Sequence, residues 1–335
     1  MKYVLKRILY AIPALLFVVV IIFVLTRVLP GDPARMYVGE QADEEAVEMA
    51  REELGLNDPY PQQFVDYIND LIHGDLGYSW SNQENVLDGF KQRLPATLEL
   101  VIFAVFLAVV IGVPIGVLSA TRKNSFWDHV SRLISLLGAS MPSFWVGLML
   151  IVVFYATLNI VPAPMGRLSI GVNAPTAVTG LYVLDSILSG DLIALKDSLA
   201  HLILPGVTLS FSTMAVVARM TRASMLEVLE LDFVRTARSK GMREGKVIWK
   251  HAFSNSLIPV LTAIGGQFGF LIGFGVVVET IFAWPGIGTY VTDAIMYTDY
   301  TPIQGFALLS AVIYLIINLI LDLLYTIVDP RVHYD

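Results

Sequence analysis

Residues Glu227–Pro259 read EVLELDFVRTARSKGMREGKVIWKHAFSNSLIP. This charged, helix-prone stretch lies between two strongly apolar ones and carries Arg235, Arg238, Lys240, Arg243, Lys246 and Lys250. Short loops rich in lysine and arginine stay on the cytoplasmic side of a membrane, which places this one inside. Leu226, Leu229, Phe233 and Ala237 recur at helical spacing and predict one apolar edge on a basic helix. Gly241 is expected to break or bend that helix, since glycine adopts backbone angles other residues resist. A second amphipathic helix is expected from near Arg243 to the next span at Pro259. Such an element is suited to docking on a soluble partner whose movement it passes to the membrane helices behind it.

Composition sets the class. Hydrophobic residues make up 56% of the 335, charged residues 15%, and mean hydropathy is +0.67. Soluble domains carry about 25% charged residues, so the chain reads as an integral membrane protein. The formal charge of −7 is unevenly spread. Acidic residues crowd into Asp32–Asp88, including Asp43, Glu44, Glu45, Glu48, Glu52 and Glu53. Basic ones crowd at the N-terminus, in Arg122–Arg132 and in the loop above. This is the asymmetry of membrane topology and gives no support for nucleic-acid binding. There is no cysteine, hence no disulfide framework or thiol chemistry. The five histidines show no metal-ligand spacing.

Six apolar segments suit helices crossing a bilayer core of about 30 Å. They are Ile8–Leu29, Leu98–Ala120, Leu133–Leu158, Leu199–Thr221, Leu257–Val278 and Ile303–Val328. Continuous apolar runs without alternation argue against a barrel. The first run is too long for a signal peptide and reads as a retained span. Lys2, Lys6, Arg7, Arg122, Lys123, Arg132 and Arg331 place both termini and the second-to-third connection inside, as the basic loop above does for the fourth-to-fifth. The expected fold is therefore all-α, with six transmembrane helices and an extracytoplasmic helical insertion after the first. We expect three regions: 1–30 as the N-terminal span, 31–97 as the outer helical subdomain, and 98–335 as a five-helix core containing the loop 222–256. Within the outer part, Val47, Ala50 and Leu54 predict a helix closed by Gly55, and Phe64, Ile68 and Leu71 or Ile72 predict another after Pro59–Pro61. Its acidity reads either as a docking face for a soluble protein or as a solvated surface.

Nucleotide chemistry is not built into the chain. Gly241–Lys246, GMREGK, departs from the phosphate-binding pattern G-x-x-x-x-G-K-[ST]: the glycines stand too close, and Val247 replaces the hydroxyl residue. Polar and small residues inside the spans mark a candidate translocation path or subunit interface: Ser210, Thr213, Gly265, Gln267, Gly269 and Gly273. The four-residue glycine spacing lets helices approach closely, either between subunits or within this chain. Hydroxyls in the fourth span also bond back to their own helix. Gln267, at membrane depth, calls for protein or water around it. Asp322 in the last span raises a rival reading, a stand-alone proton- or ion-coupled carrier, which leaves the long basic loop unexplained. Trp284 reads as part of a re-entrant outer element or as an interfacial anchor.

The same residues resemble a known family. The run RTARSKG with His251, Asn255 and Pro259 closely resembles the coupling loop of bacterial permeases in ATP-binding-cassette importers, in particular the dipeptide/oligopeptide/nickel branch. Further matching motifs, in the family's order, are PGDP (Pro30–Pro33), HGDLGYS (His73–Ser79), LPATLEL (Leu94–Leu100), Met141–Pro142, RMTRASMLEVL (Arg219–Leu229) and ETIFAWPGIG (Glu279–Gly288). The family's frequent Glu-Ala-Ala opening is replaced here by Arg235, Thr236 and Ala237. The resemblance implies a peptide permease subunit of the cytoplasmic (inner) membrane that itself catalyses no reaction. It implies four kinds of partner: a second homologous permease, two cytoplasmic ATP-binding subunits that hold ATP and Mg, an extracytoplasmic substrate-binding protein, and membrane lipid. It assigns ATPase coupling to Phe233, Arg235, Thr236, Ala237, Arg238, Lys240 and Gly241. It leaves open whether the substrate is a dipeptide, an oligopeptide, glutathione, a nickel chelate or a sugar.

Overall fold

The computed structural model describes residues 2–28, 33–39 and 42–328. In chain order the helices are α1 (Lys2–Val28), α2 (Pro33–Val38), α3 (Glu44–Glu53) and α4 (Tyr60–Ile72). A two-stranded hairpin follows, β1 (Tyr78–Ser79) and β2 (Glu84–Asn85), paired antiparallel with Ser79 opposite Glu84. Then come α5 (Val86–Thr121), α6 (Phe126–Ser140), α7 (Ser143–Leu150), α8 (Tyr182–Ser189), α9 (Leu192–Leu229), α10 (Asp232–Ser239), α11 (Glu244–Lys246), α12 (Ser254–Ile281), α13 (Ile287–Met296) and α14 (Tyr300–Val328). A π-helical turn, Ile151–Thr157, prolongs α7, and another, Val247–Phe253, joins α11 to α12.

Among the described residues, each of the six apolar segments falls on helix except at Met141, Pro142 and Leu158 of the third, and Leu29 of the first lies outside the described residues. Among the described residues, Val86–Thr121, Leu192–Leu229, Glu244–Ile281 and Tyr300–Ile327 are long and apolar enough to cross a membrane. The pair Phe126–Ser140 and Ser143–Thr157 makes a fifth if counted as one span, and the described apolar stretch of α1 is Ile12–Leu25. The third segment is not the single helix expected over Leu133–Leu158: α6 and α7 are bent by 106°. Pro142 explains the break. It has no N–H to continue α6, and its ring forces the preceding Met141 into extended backbone at φ −80°, ψ 129°.

The chain divides into two compact units, Met1–Pro95 with Pro285–Leu315, and Ala96–Trp284 with Ile316–Asp335. In the first, the Asp43 carboxylate caps α3 by accepting the Ala46 N–H at 2.8 Å, and Gly55 ends that helix at φ +63°. Phe64 of α4 meets Phe23 of α1 edge-to-face at 5.1 Å between ring centres. Val86 and Phe90 pack against Ile287, Tyr290 and Val291 of α13. Buried Asp299 accepts from the hydroxyls of Ser79 at 2.7 Å and Ser81 at 2.8 Å, which fixes the hairpin.

In the second unit α9 is the hub, and α6, α7, α8 and α12 all pack on it. Small residues permit the close approach. An added Cβ at Gly206 would stand 2.3 Å from the Phe103 ring, and one at Gly116 would stand 2.6 Å from the Ala218 carbonyl oxygen. The segment after α7 is tied down by a buried ion pair: Arg167 donates to Glu99 at 2.6 Å and to the Gly180 carbonyl at 2.9 Å. Its guanidinium also stacks over Tyr182 at 3.5 Å. Asp185 collects the Thr179 hydroxyl and N–H together with the N–H groups of Val178 and Gly180. Burial pushes this carboxyl up, but those hydrogen bonds outweigh it and hold it below the ordinary aspartate range. Trp284 is no interfacial anchor: it is buried, with its Nε1–H donating to the Ala96 carbonyl at 2.9 Å.

Candidate functional site

The first of the two helices expected in the basic loop is divided between two elements. α9 ends at Leu229, the chain turns through Glu230 and Leu231, and α10 starts at Asp232. The apolar edge expected along Leu226, Leu229, Phe233 and Ala237 is therefore split by that turn. Val234 and Ala237 supply the buried face of α10. They sit in a cluster with Val117, Ala120, Met225, Val228, Val247, Ala252 and Val260, drawn from α5, α9, and α12 with the π-helical turn that leads into it. This short helix is thus held by its two small apolar residues, on ground common to three membrane helices.

The other face is open. Arg235, Thr236, Arg238, Lys240 and Gly241 are exposed, and the Phe233 ring is 40% exposed on an otherwise charged helix. Arg235 pairs with Asp232 at 3.3 Å, and the Thr236 hydroxyl donates to the Asp232 carbonyl at 2.9 Å. Arg238 pairs with Glu244 at 2.7 Å, bridging the turn between α10 and α11, and this hydrogen bond pushes its proton affinity higher still. Gly241 makes that turn possible at φ +73°, a left-handed conformation that side chains resist. Its N–H closes onto the Arg238 carbonyl at 2.9 Å. Of the seven coupling candidates, Ala237 alone faces inward.

A group that sequence reading did not single out lies beside this element. Asp128 is fully buried at the start of α6 and receives Arg222 of α9 through Nε at 2.8 Å and Nη2 at 3.0 Å. Ser119 of α5 donates to it at 2.6 Å and the Asn124 N–H at 2.9 Å. One carboxylate thus pins three helices together at the end where α10 is attached. The only sequence signal was an acidic residue inside the basic stretch Arg122–Arg132.

The candidate path residues are distributed differently. Thr213 and Gln267 face each other between α9 and α12, with a hydrogen bond of 3.3 Å. The Ser210 hydroxyl bonds back to the Val207 carbonyl at 3.0 Å. Gly265 is buried against Leu321 of α14, where an added Cβ would overlap that side chain at 1.8 Å. Gly269 is half-buried, and Gly273 faces open space.

The sequence that builds this arrangement of apolar helices and an exposed basic helix has known relatives. Residues 112–334 match the family described as "Binding-protein-dependent transport system inner membrane component", and residues 1–101 match its N-terminal companion. The chain belongs to this family of inner membrane transport components. Its relatives cover its length. It is 45% identical over 338 residues to the dipeptide transport system permease protein DppB of Alkalihalophilus pseudofirmus, covering all of both chains. It is 43% identical to the probable D,D-dipeptide transport system permease protein DdpB of Escherichia coli, over 94% of this chain and 92% of that one. It is 37% identical to the glutathione transport system permease protein GsiC of Pectobacterium atrosepticum, over 100% and 99%. The permease is thus an integral component of the inner membrane, and its family is one of transport rather than catalysis.

Proposed function

We propose that this permease is one of two homologous membrane subunits of an ATP-driven importer for small peptides. Two cytoplasmic subunits would bind ATP with Mg and hydrolyse it, and an extracytoplasmic protein would deliver the substrate. The observation that carries the reading is α10: a basic helix with an exposed Phe233, seated by Val234 and Ala237 on a cluster shared by α5, α9, and α12 with the π-helical turn that leads into it. A partner that grips Phe233, Arg235, Thr236, Arg238 and Lys240 moves three spans through one seat. Full-length similarity to permeases named for dipeptides and glutathione supports the peptide class. Both termini and α10 lie on the cytoplasmic side in this reading, as the basic loops favour. The exposed acidic face of α3 (Glu44, Glu45, Glu48, Glu52 and Glu53) then lies outside, where the binding protein arrives.

The test is reconstitution. The permease with its homologue, two ATPases and a loaded binding protein should take up a radiolabelled dipeptide only when ATP is supplied. The isolated permease should neither hydrolyse ATP nor move peptide. Uptake by the isolated subunit driven by a pH gradient would replace this reading with a secondary carrier.

A further inference from the structure

The break between α6 and α7 opens onto a cavity of about 300 Å³ within the second unit. Met141 and Ser143 line it from the break, Phe211 and Ser212 from α9, and Phe270 and Phe274 from α12. The last two rings stack at 4.1 Å. Among the described residues, no charged side chain lines it.

The backbone at the break decides what fills this space. A helix start leaves four N–H groups without intrahelical partners. At α7, those of Trp145 and Val146 reach the Pro142 carbonyl, at 3.1 and 3.2 Å. Those of Ser143 and Phe144 donate to no described residue, and the Ser143 and Ser212 hydroxyls likewise have no partner among the described residues. In hydrocarbon an unpaired backbone group is costly, so broken backbone at membrane depth survives only inside protein or beside water. An open cavity of this volume holds several waters. A water-filled cavity would meet that requirement at the break.

We propose that this cavity is a substrate subsite of the translocation path, one that admits the apolar side chain of a small peptide. The inference rests on the peptide-importer reading above. The stacked Phe270–Phe274 pair offers an apolar wall. Ser143, Ser212 and the unpaired amides offer partners for a peptide bond. With no counter-charge for either terminus, the cavity holds a zwitterion weakly and lets it pass. Selection here is by the bulk and polarity of the side chain.

The absence of cysteine lets the native sequence serve as background for the test. In the reconstituted complex, Ser212→Cys and Ser143→Cys should react with a charged methanethiosulfonate reagent, while Val110→Cys, an exposed apolar position on α5, should not. A bulky methanethiosulfonate attached to Ser212→Cys after folding then fills the cavity without a folding defect. Initial uptake of Leu-Leu should fall about tenfold and that of Gly-Gly much less, since a crowded apolar pocket discriminates by side-chain size. Unreactive cysteines at both positions, or equal loss for the two peptides, would overturn the subsite. A wild-type complex that moves neither peptide removes the peptide reading and the side-chain assignment with it, while the labelling still decides whether the break is wet.

Discussion

Replacing Asp128 by Asn isolates the carboxylate that joins α5, α6 and α9. The substitution keeps the shape but turns one acceptor oxygen into a donor. In either amide orientation, an NH₂ group faces a partner that itself donates: Arg222 Nε on one side, or Arg222 Nη2 and the Asn124 N–H on the other. Arg222 also loses its counter-charge, with its side chain 24% exposed. Removing one member of a buried pair costs about 3–5 kcal/mol, and the access of water to Arg222 brings the expected loss to about 3 kcal/mol. Thermal unfolding of the purified permease, followed through its five tryptophans, should show a lowered midpoint. Arg222→Gln should cost a similar amount, and the double variant should be less unstable than the sum of the two by at least about 1.5 kcal/mol. A wild-type midpoint for Asp128→Asn, or costs that add within about 0.5 kcal/mol, would refute the pin.

Asp185→Asn should loosen the turn at Val178–Gly180 by about 1–3 kcal/mol, read as faster hydrogen exchange of those amides. Because the folded carboxyl is held below the usual aspartate value of about 3.9, its stabilisation is full above that pH and is lost as the pH falls through the folded value. The wild type should therefore lose protection in that acid window, and the Asn variant should not share the dependence. Gly241→Val places a β-branched residue at φ +73° with nothing within 4 Å to clash, so the cost is local backbone strain of about 1–2 kcal/mol. Membrane insertion should be normal while substrate-stimulated ATP hydrolysis falls, and a fully coupled variant would count against α10 as the docking element. Single cysteines at Glu45 and Asn173 should react with impermeant reagents from outside, and one at Ser239 only after the membrane is opened. Asp322→Asn should retain ATP-dependent uptake in proteoliposomes; abolition would favour proton coupling.

The apolar runs were legible because burial in lipid leaves a continuous signal of known length. The end of α3 was legible because Gly55 acts locally, whereas its Asp43 cap was counted only among the acidic residues. The bend at Met141–Pro142 was not read, although both residues were noticed. Hydropathy over Leu133–Leu158 is unbroken, and a window average carries no direction. The turn at Glu230–Leu231 contains neither glycine nor proline, so the split between α9 and α10 left no trace. In the loop, the exposure of Arg235, Arg238 and Lys240 was readable from charge, whereas Val234 was missed because the predicted edge followed a single helix through the turn. The pairs Glu99–Arg167 and Asp128–Arg222 lie 68 and 94 residues apart, and nothing local to either partner announces the other.

α9 is a shaft of 38 residues, about 57 Å long at 1.5 Å per residue. In the proposed orientation its far end lies outside and its near end abuts α10, so moving as one body it would work as a first-class lever. A tilt of about 5° about its middle moves each end by roughly 2.5 Å in opposite directions, comparable to the shifts by which packed helices switch state. Opening on one side and closing on the other then follow from a single rotation, without a relay of side chains. The cavity wall at Phe211 and Ser212 stands close to the midpoint of the shaft, at the fulcrum. Displacement is least there, so a passing peptide keeps the same neighbours while both mouths change around it.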